Sequence, residues 1–91
     1  MSAGYLKLQH GIIYSQIDVS SFSLEKDGQT TTISYENGEW VMKWDNGRVA
    51  KGGQIAVAAL LSGLYGKYAA MYILATTMGN MAETLSIVDG K

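Results

Sequence analysis

The sequence predicts a mainly β chain with one long helix: a small antiparallel barrel or strongly bent meander of five to six strands, a helix over about 54–78, and a short final strand over 85–88. Three observations carry this. Asp-Gly or Asn-Gly dipeptides recur at roughly nine-residue intervals in the first half, as hairpin turns do. The segments between them alternate apolar and polar residues. After Gln54 the apolar period changes from two to that of a helix.

The turn signals are Lys26-Asp27-Gly28-Gln29, Glu36-Asn37-Gly38-Glu39 and Asp45-Asn46-Gly47-Arg48. A two-residue type I′ turn needs positive φ at both central positions, which Asn, Asp and Gly tolerate best. Between the turns, Phe22 and Leu24 share one face, as do Thr31, Ile33 and Tyr35. Trp40, Met42 and Trp44 line one side of the next strand, with Val41 and Lys43 opposite. Upstream, Tyr5 to Gln9 and Ile12 to Ile17 read as strand, interrupted by a bend or bulge at Gly11. Short strands joined by tight turns are the pattern of small barrels and curved sheets.

Residues 55–78 contain no Pro and one charge, Lys67, and Gly79-Asn80 supplies a C-terminal stop. Two apolar stripes run at helical spacing. One is bulky (Val57, Leu61, Leu64, Tyr68, Met71, Ala75, Met78) and one is small (Ala56, Ala59, Gly63, Gly66, Ala70, Ile73, Thr77). A helix apolar on two faces needs two partners, so one face is expected on the sheet and the other on a second helix or subunit. The stretch is long enough to span a bilayer. Lys67 at its midpoint and its many Ala, Gly, Ser and Thr residues weigh against insertion.

Ninety-one residues make a single domain, 1–91. With 7 basic and 8 acidic side chains the net charge is −1, so no global field draws phosphate or anionic lipid, and nucleic-acid contact requires a local patch. The absence of Cys excludes disulfides and thiolate metal sites. Met1 to Gln9 has no signal-peptide pattern, which makes a cytoplasmic location the default. The one histidine, His10, stands beside Gly11 as a turn residue. The acids Asp27, Glu36, Glu39 and Asp45 fall in or beside turns, and no nucleophile–base or metal-ligand spacing emerges. An enzyme is not expected, nor a cofactor or metal.

The most informative polar stretch is Lys43 to Gly53. It holds Lys43, Arg48 and Lys51, three of the seven basic residues, and it ends where the helix begins. Helix N-terminal N–H groups attract anions, and Gly52-Gly53 would let a phosphate approach the backbone; a hairpin turn with a flexible helix entry is the plainer reading. Trp44 and Trp40 share a face that either stacks bases or, as such faces usually do, fills a core.

The short-stranded meander across residues 4–50 and the run Ser86-Ile87-Val88-Asp89-Gly90 resemble the Sm/LSm-like family, small bent-strand barrels, here of the phage-associated kind. The run is similar to the family's second motif, two apolar residues followed by Arg-Gly, with Asp89 in place of the arginine. Asp45-Asn46-Gly47 is the nearest counterpart of the first motif, and the long helix departs from the family's pattern. The resemblance implies a ring-shaped homo-oligomer that binds single-stranded RNA or DNA. Lys43, Trp44, Asn46, Arg48 and Lys51 are the candidate contacts. The alternatives are a structural or adaptor protein that assembles through its apolar helix, and a small phage-type membrane protein.

Overall fold

Two of the three turns form as their dipeptides dictate. Asp27 and Asn37 both adopt φ 53°, followed by Gly28 at 81° and Gly38 at 84°, the two successive positive values of a type I′ reversal. The third differs. Gly47 alone is left-handed (φ 94°), its N–H donates to the Trp44 carbonyl, and the Trp44 N–H donates to Arg48, giving a three-residue loop in which only glycine need be left-handed. The interruption at Gly11 is neither a bend nor a bulge within one strand. Gly11 (φ 78°) sits in a full reversal between paired Gln9 and Ile12, and the register shift comes later, between Gln16 and Asp18.

The computed structural model describes residues 5–9, 11–18, 20–76 and 79–90; His10 and the expected helix residues Thr77 and Met78 lie outside the described residues. The described strands are β1 (Tyr5–Gln9), β2 (Ile12–Asp18), β3 (Ser21–Lys26), β4 (Gln29–Glu36), β5 (Glu39–Trp44), β6 (Val49–Gly52) and β7 (Leu85–Val88). All pair antiparallel in chain order, β1 to β7, in one open sheet. β1 and β7 are its two edges, so the barrel alternative is not realised within one chain. β6 extends the meander to Gly52, through residues read as a flexible helix entry.

The register places Tyr14, Leu24, Thr31 and Trp44 in one row across β2 to β5. Phe22, Ile33, Met42 and Ala50 share that face. These residues are buried, and Trp40 and Trp44, 1% and 7% exposed, are core residues. The opposite face carries Ser15, Ser23, Thr32 and Lys43 in the matching row.

The single long helix is replaced by two. α1 (Gln54–Tyr65) and α2 (Lys67–Leu74) meet at Gly66, whose φ of 91° and ψ of 166° lie in a region that essentially only glycine enters. The chain reverses there. Gln54, at the start of α1, donates its side-chain amide to the carbonyls of Ile73 (2.7 Å) and Thr76 (3.2 Å) at the end of α2, so the helices run antiparallel. Gln54 is buried because this pairing satisfies both its amide and carbonyls that every helix C-terminus leaves open.

The hairpin covers the core face. From α2, Tyr72 stacks on Phe22 at 4.6 Å between ring centroids, and Tyr68 meets Tyr14 edge-on at 5.1 Å. Such pairs add about 0.5–1.5 kcal/mol each beyond the area they bury. Burial, reinforced by the neighbouring Tyr68, pushes the Tyr14 phenol above its ordinary range, so Tyr14 stays neutral well into alkaline pH. Val57 and Leu61 of α1 complete the core. The radius of gyration, 12.2 Å, equals the roughly 12 Å expected of one compact unit of this length.

Two glycine substitutions separate backbone need from packing need. Gly66→Ala is expected to cost about 1–3 kcal/mol, because its strain is conformational. Gly63→Ala, inside α1 with open space around it, should stabilise by about 1 kcal/mol. Urea unfolding followed by circular dichroism reads both, and equal effects would refute a reversal that depends on Gly66. Gln54→Ala removes the side-chain donor to the Thr76 carbonyl and one of the donors to the Ile73 carbonyl, and should cost about 1–3 kcal/mol in the same assay. A neutral result would mean that the hairpin does not rely on that tie.

Candidate functional site

Period-two alternation divides the candidate residues between two faces. Lys43 and Lys51 point from the outer face of β5 and β6, where Lys43 pairs with Val49 and Lys51 with Val41. That makes them diagonal neighbours on adjacent strands, within reach of one ligand backbone. Trp44 points the other way, into the core. Asn46 is exposed in the β5–β6 loop, where its Oδ1 accepts the Arg48 N–H at 2.9 Å, and so serves the turn. Arg48 leans over the Trp44 ring, its guanidinium carbon 5.0 Å from the centroid. The five residues therefore form an outer pair and a rim cluster, not one patch.

Both halves hold acids. On the outer face, Lys43 Nζ lies 3.3 Å from Glu36. Glu36 accepts a 2.6 Å hydrogen bond from Ser34, and this bond, followed by the one from Lys43, holds its carboxyl below the usual glutamate range. At the rim, Arg48 Nε lies 3.3 Å from Asp89, just beyond β7. This is the aspartate that stands where the resembled motif has arginine. Gly90 packs so closely on the Asn46–Arg48 backbone that a Cβ would collide with it, so the Val88-Asp89-Gly90 run lies directly against the Asp45–Arg48 loop.

An open cleft of about 360 Å³ lies at this end of the sheet. Trp44 and Tyr65 line it together with Leu64 from the end of α1, and the β3–β4 turn adds Lys26, Asp27 and Gln29. Tyr65 is fixed by a 2.7 Å hydrogen bond between its hydroxyl and that of buried Thr31. Apart from Trp44 and Arg48, none of these residues is among the candidate contacts that the sequence offers. They are separated by up to 39 positions along the chain (Lys26 to Tyr65), and strand pairing together with the seating of α1 on the sheet gathers them.

The alternative of an anion site at the helix start is not realised. The N–H groups of Gly53, Gln54 and Ala56 donate to the carbonyls of Thr84, Asn80 and Ala82, and the missing side chains at Gly52 and Gly53 make room for this returning segment. The glycines admit the protein's own backbone, not a phosphate. Among the described residues there is no cluster able to hold a metal ion, and no helix is long and apolar enough to cross a membrane.

No family model, curated protein or solved structure matches the chain.

Glu36 is the acid that competes with any anion for Lys43. Glu36→Gln should change stability by less than about 1 kcal/mol, as for other exposed pairs, while tightening the binding of a single-stranded oligonucleotide at low salt. Acidification should act the same way. The depressed carboxyl contributes its small stabilisation above the ordinary glutamate pKa and loses it as pH falls through its own lower value. Unchanged or weaker affinity in the variant would remove Lys43 from the contact surface.

Proposed function

We propose that this protein is an Sm-like, ring-forming module that binds single-stranded RNA or DNA, in RNA or DNA processing of a phage-associated kind and in a cytoplasmic setting. The contact between Val88-Asp89-Gly90 and the Asp45–Arg48 loop carries this reading. The two segments that resemble the family's motifs lie far apart in sequence yet form one surface at the end of the sheet. Phosphates pass along Lys43 and Lys51, and a base enters the rim beside Arg48 and Trp44.

The sheet's open edges support self-association. β7 exposes Leu85, Ile87 and Val88 (40%, 42% and 61%), and its outer backbone groups face no further described strand. Exposed apolar edges invite pairing with another chain, and pairing β7 of one copy with β1 of the next closes a ring when the rotation fits. A second reading, an adaptor that docks protein rather than nucleic acid, is favoured by Leu64, Met71 and Leu74, which the helical hairpin leaves exposed.

Fluorescence polarisation with a labelled oligonucleotide at two salt concentrations separates these readings. Binding at low salt should weaken steeply as salt rises. The double substitution Lys43→Ala, Lys51→Ala should weaken it further and flatten the logarithmic salt slope by about 1–1.5. Absence of binding at low salt would favour the adaptor. A monomeric mass by light scattering would remove the ring.

A further inference from the structure

The rim cleft is too well furnished to be only a gap between turns. It presents aromatic surface, a guanidinium fork and an amide, and its charges balance: Lys26 and Arg48 against Asp27, which lines it, and Asp89, which touches Arg48. A dianion such as a phosphate monoester gains little where carboxylates equal cations. A neutral planar group that offers acceptors on one edge and donors on the other gains from both signs of charge.

Arg48 is prepared for such a group. Its guanidinium lies over Trp44, and its contact with Asp89 runs through Nε, which has no hydrogen-bond partner. The planar fork is thus oriented by a ring below and a carboxylate beside it, and a fork of this kind matches two adjacent acceptors bidentately. Guanine carries that pair in O6 and N7, the commonest specific target of arginine. Its N1–H and exocyclic amine are donors, for which Asp27 and the Gln29 carbonyl are acceptors on the same cleft. The volume, about 360 Å³, lies at the small end for ligand pockets and suits one unpaired nucleotide rather than a base pair.

We propose that the cleft lined by Arg48, Trp44, Tyr65, Gln29 and Asp27 is a guanine-reading pocket for one base of a single strand. This deepens the nucleic-acid reading and rests on it. Lys43 and Lys51, on the opposite face, supply phosphate contacts that are blind to sequence.

The test compares two labelled oligonucleotides of equal length, one all uridine and one with a single central guanosine, on the full chain and on Arg48→Lys. The guanosine strand should bind about tenfold tighter, and Arg48→Lys should abolish that preference, because lysine keeps the charge but not the fork. Free guanosine, added to isotopically labelled protein, should shift the Gln29 side-chain amide and the Trp44 indole N–H more than adenosine, cytidine or uridine does. Equal binding of the two strands overturns the pocket and leaves the nucleic-acid reading standing. Failure of both strands to bind overturns the reading, and the pocket in a strand with it. Equal shifts from all four nucleosides overturn guanine selectivity. An unchanged preference in Arg48→Lys overturns the role of the fork.

Discussion

The reversal at Gly66 is the constraint on which the rest of the structure depends. The stretch that follows β6 is apolar on two faces, and a continuous helix would cover the sheet with one of them and leave the other in water. With φ at 91°, the chain folds the stretch in half. Three consequences follow together. Gln54 reaches the end of α2, Tyr68 and Tyr72 reach β2 and β3, and Tyr65 is left at the rim, where its hydroxyl meets Thr31. The core and one wall of the cleft thus share a single cause.

The amphipathic pattern of that stretch specifies what it must bury but not how it is folded. Two apolar faces do need two partners, one a sheet and the other a helix. The second helix is the other half of the same segment. Periodicity cannot distinguish these cases, because each half keeps the helical period and no Pro or charge run marks the break. Gly66 was visible, but within a stripe of small residues it read as a packing glycine when its role lies in the backbone. The meander was legible for the opposite reason. Its instructions are local, an Asn-Gly or Asp-Gly pair at each reversal and a period of two between them, and they placed Phe22, Leu24, Ile33 and Met42 on the face that proved buried.

The same distinction between local and distant information runs through the candidate site. That Lys43 and Trp44 diverge follows from their adjacency in a strand, so the division of the five residues into two groups was readable. What no local pattern contains is who meets them. Glu36 reaches Lys43, Asp89 comes back along β7 to Arg48, and residues 80–84 fill the space that two glycines opened at the start of α1. Each is an acid or a carbonyl arriving from another element: the carbonyls satisfy backbone N–H groups, and the acids set a negative charge against each cation. The balanced composition allowed this outcome without specifying it.

Those pairings bear on how binding could work at all. A single copy offers two lysines on one face, one already engaged, and an arginine shared with a carboxylate, so its intrinsic affinity for a strand must be modest. Repetition changes that. In the proposed ring, once one copy held a nucleotide, its neighbours would meet the strand at an effective concentration set by the ring's geometry, and weak equivalent sites would combine into a tight and strongly salt-dependent whole. The acids then serve selectivity, since a charge-balanced surface holds no anion merely for its charge. On the proposed reading, assembly and recognition are therefore one property. On that reading the open edges of the sheet matter to binding as much as the residues of the cleft, because Lys43 and Arg48 each stand beside a carboxylate and a single copy would hold a strand weakly at physiological ionic strength.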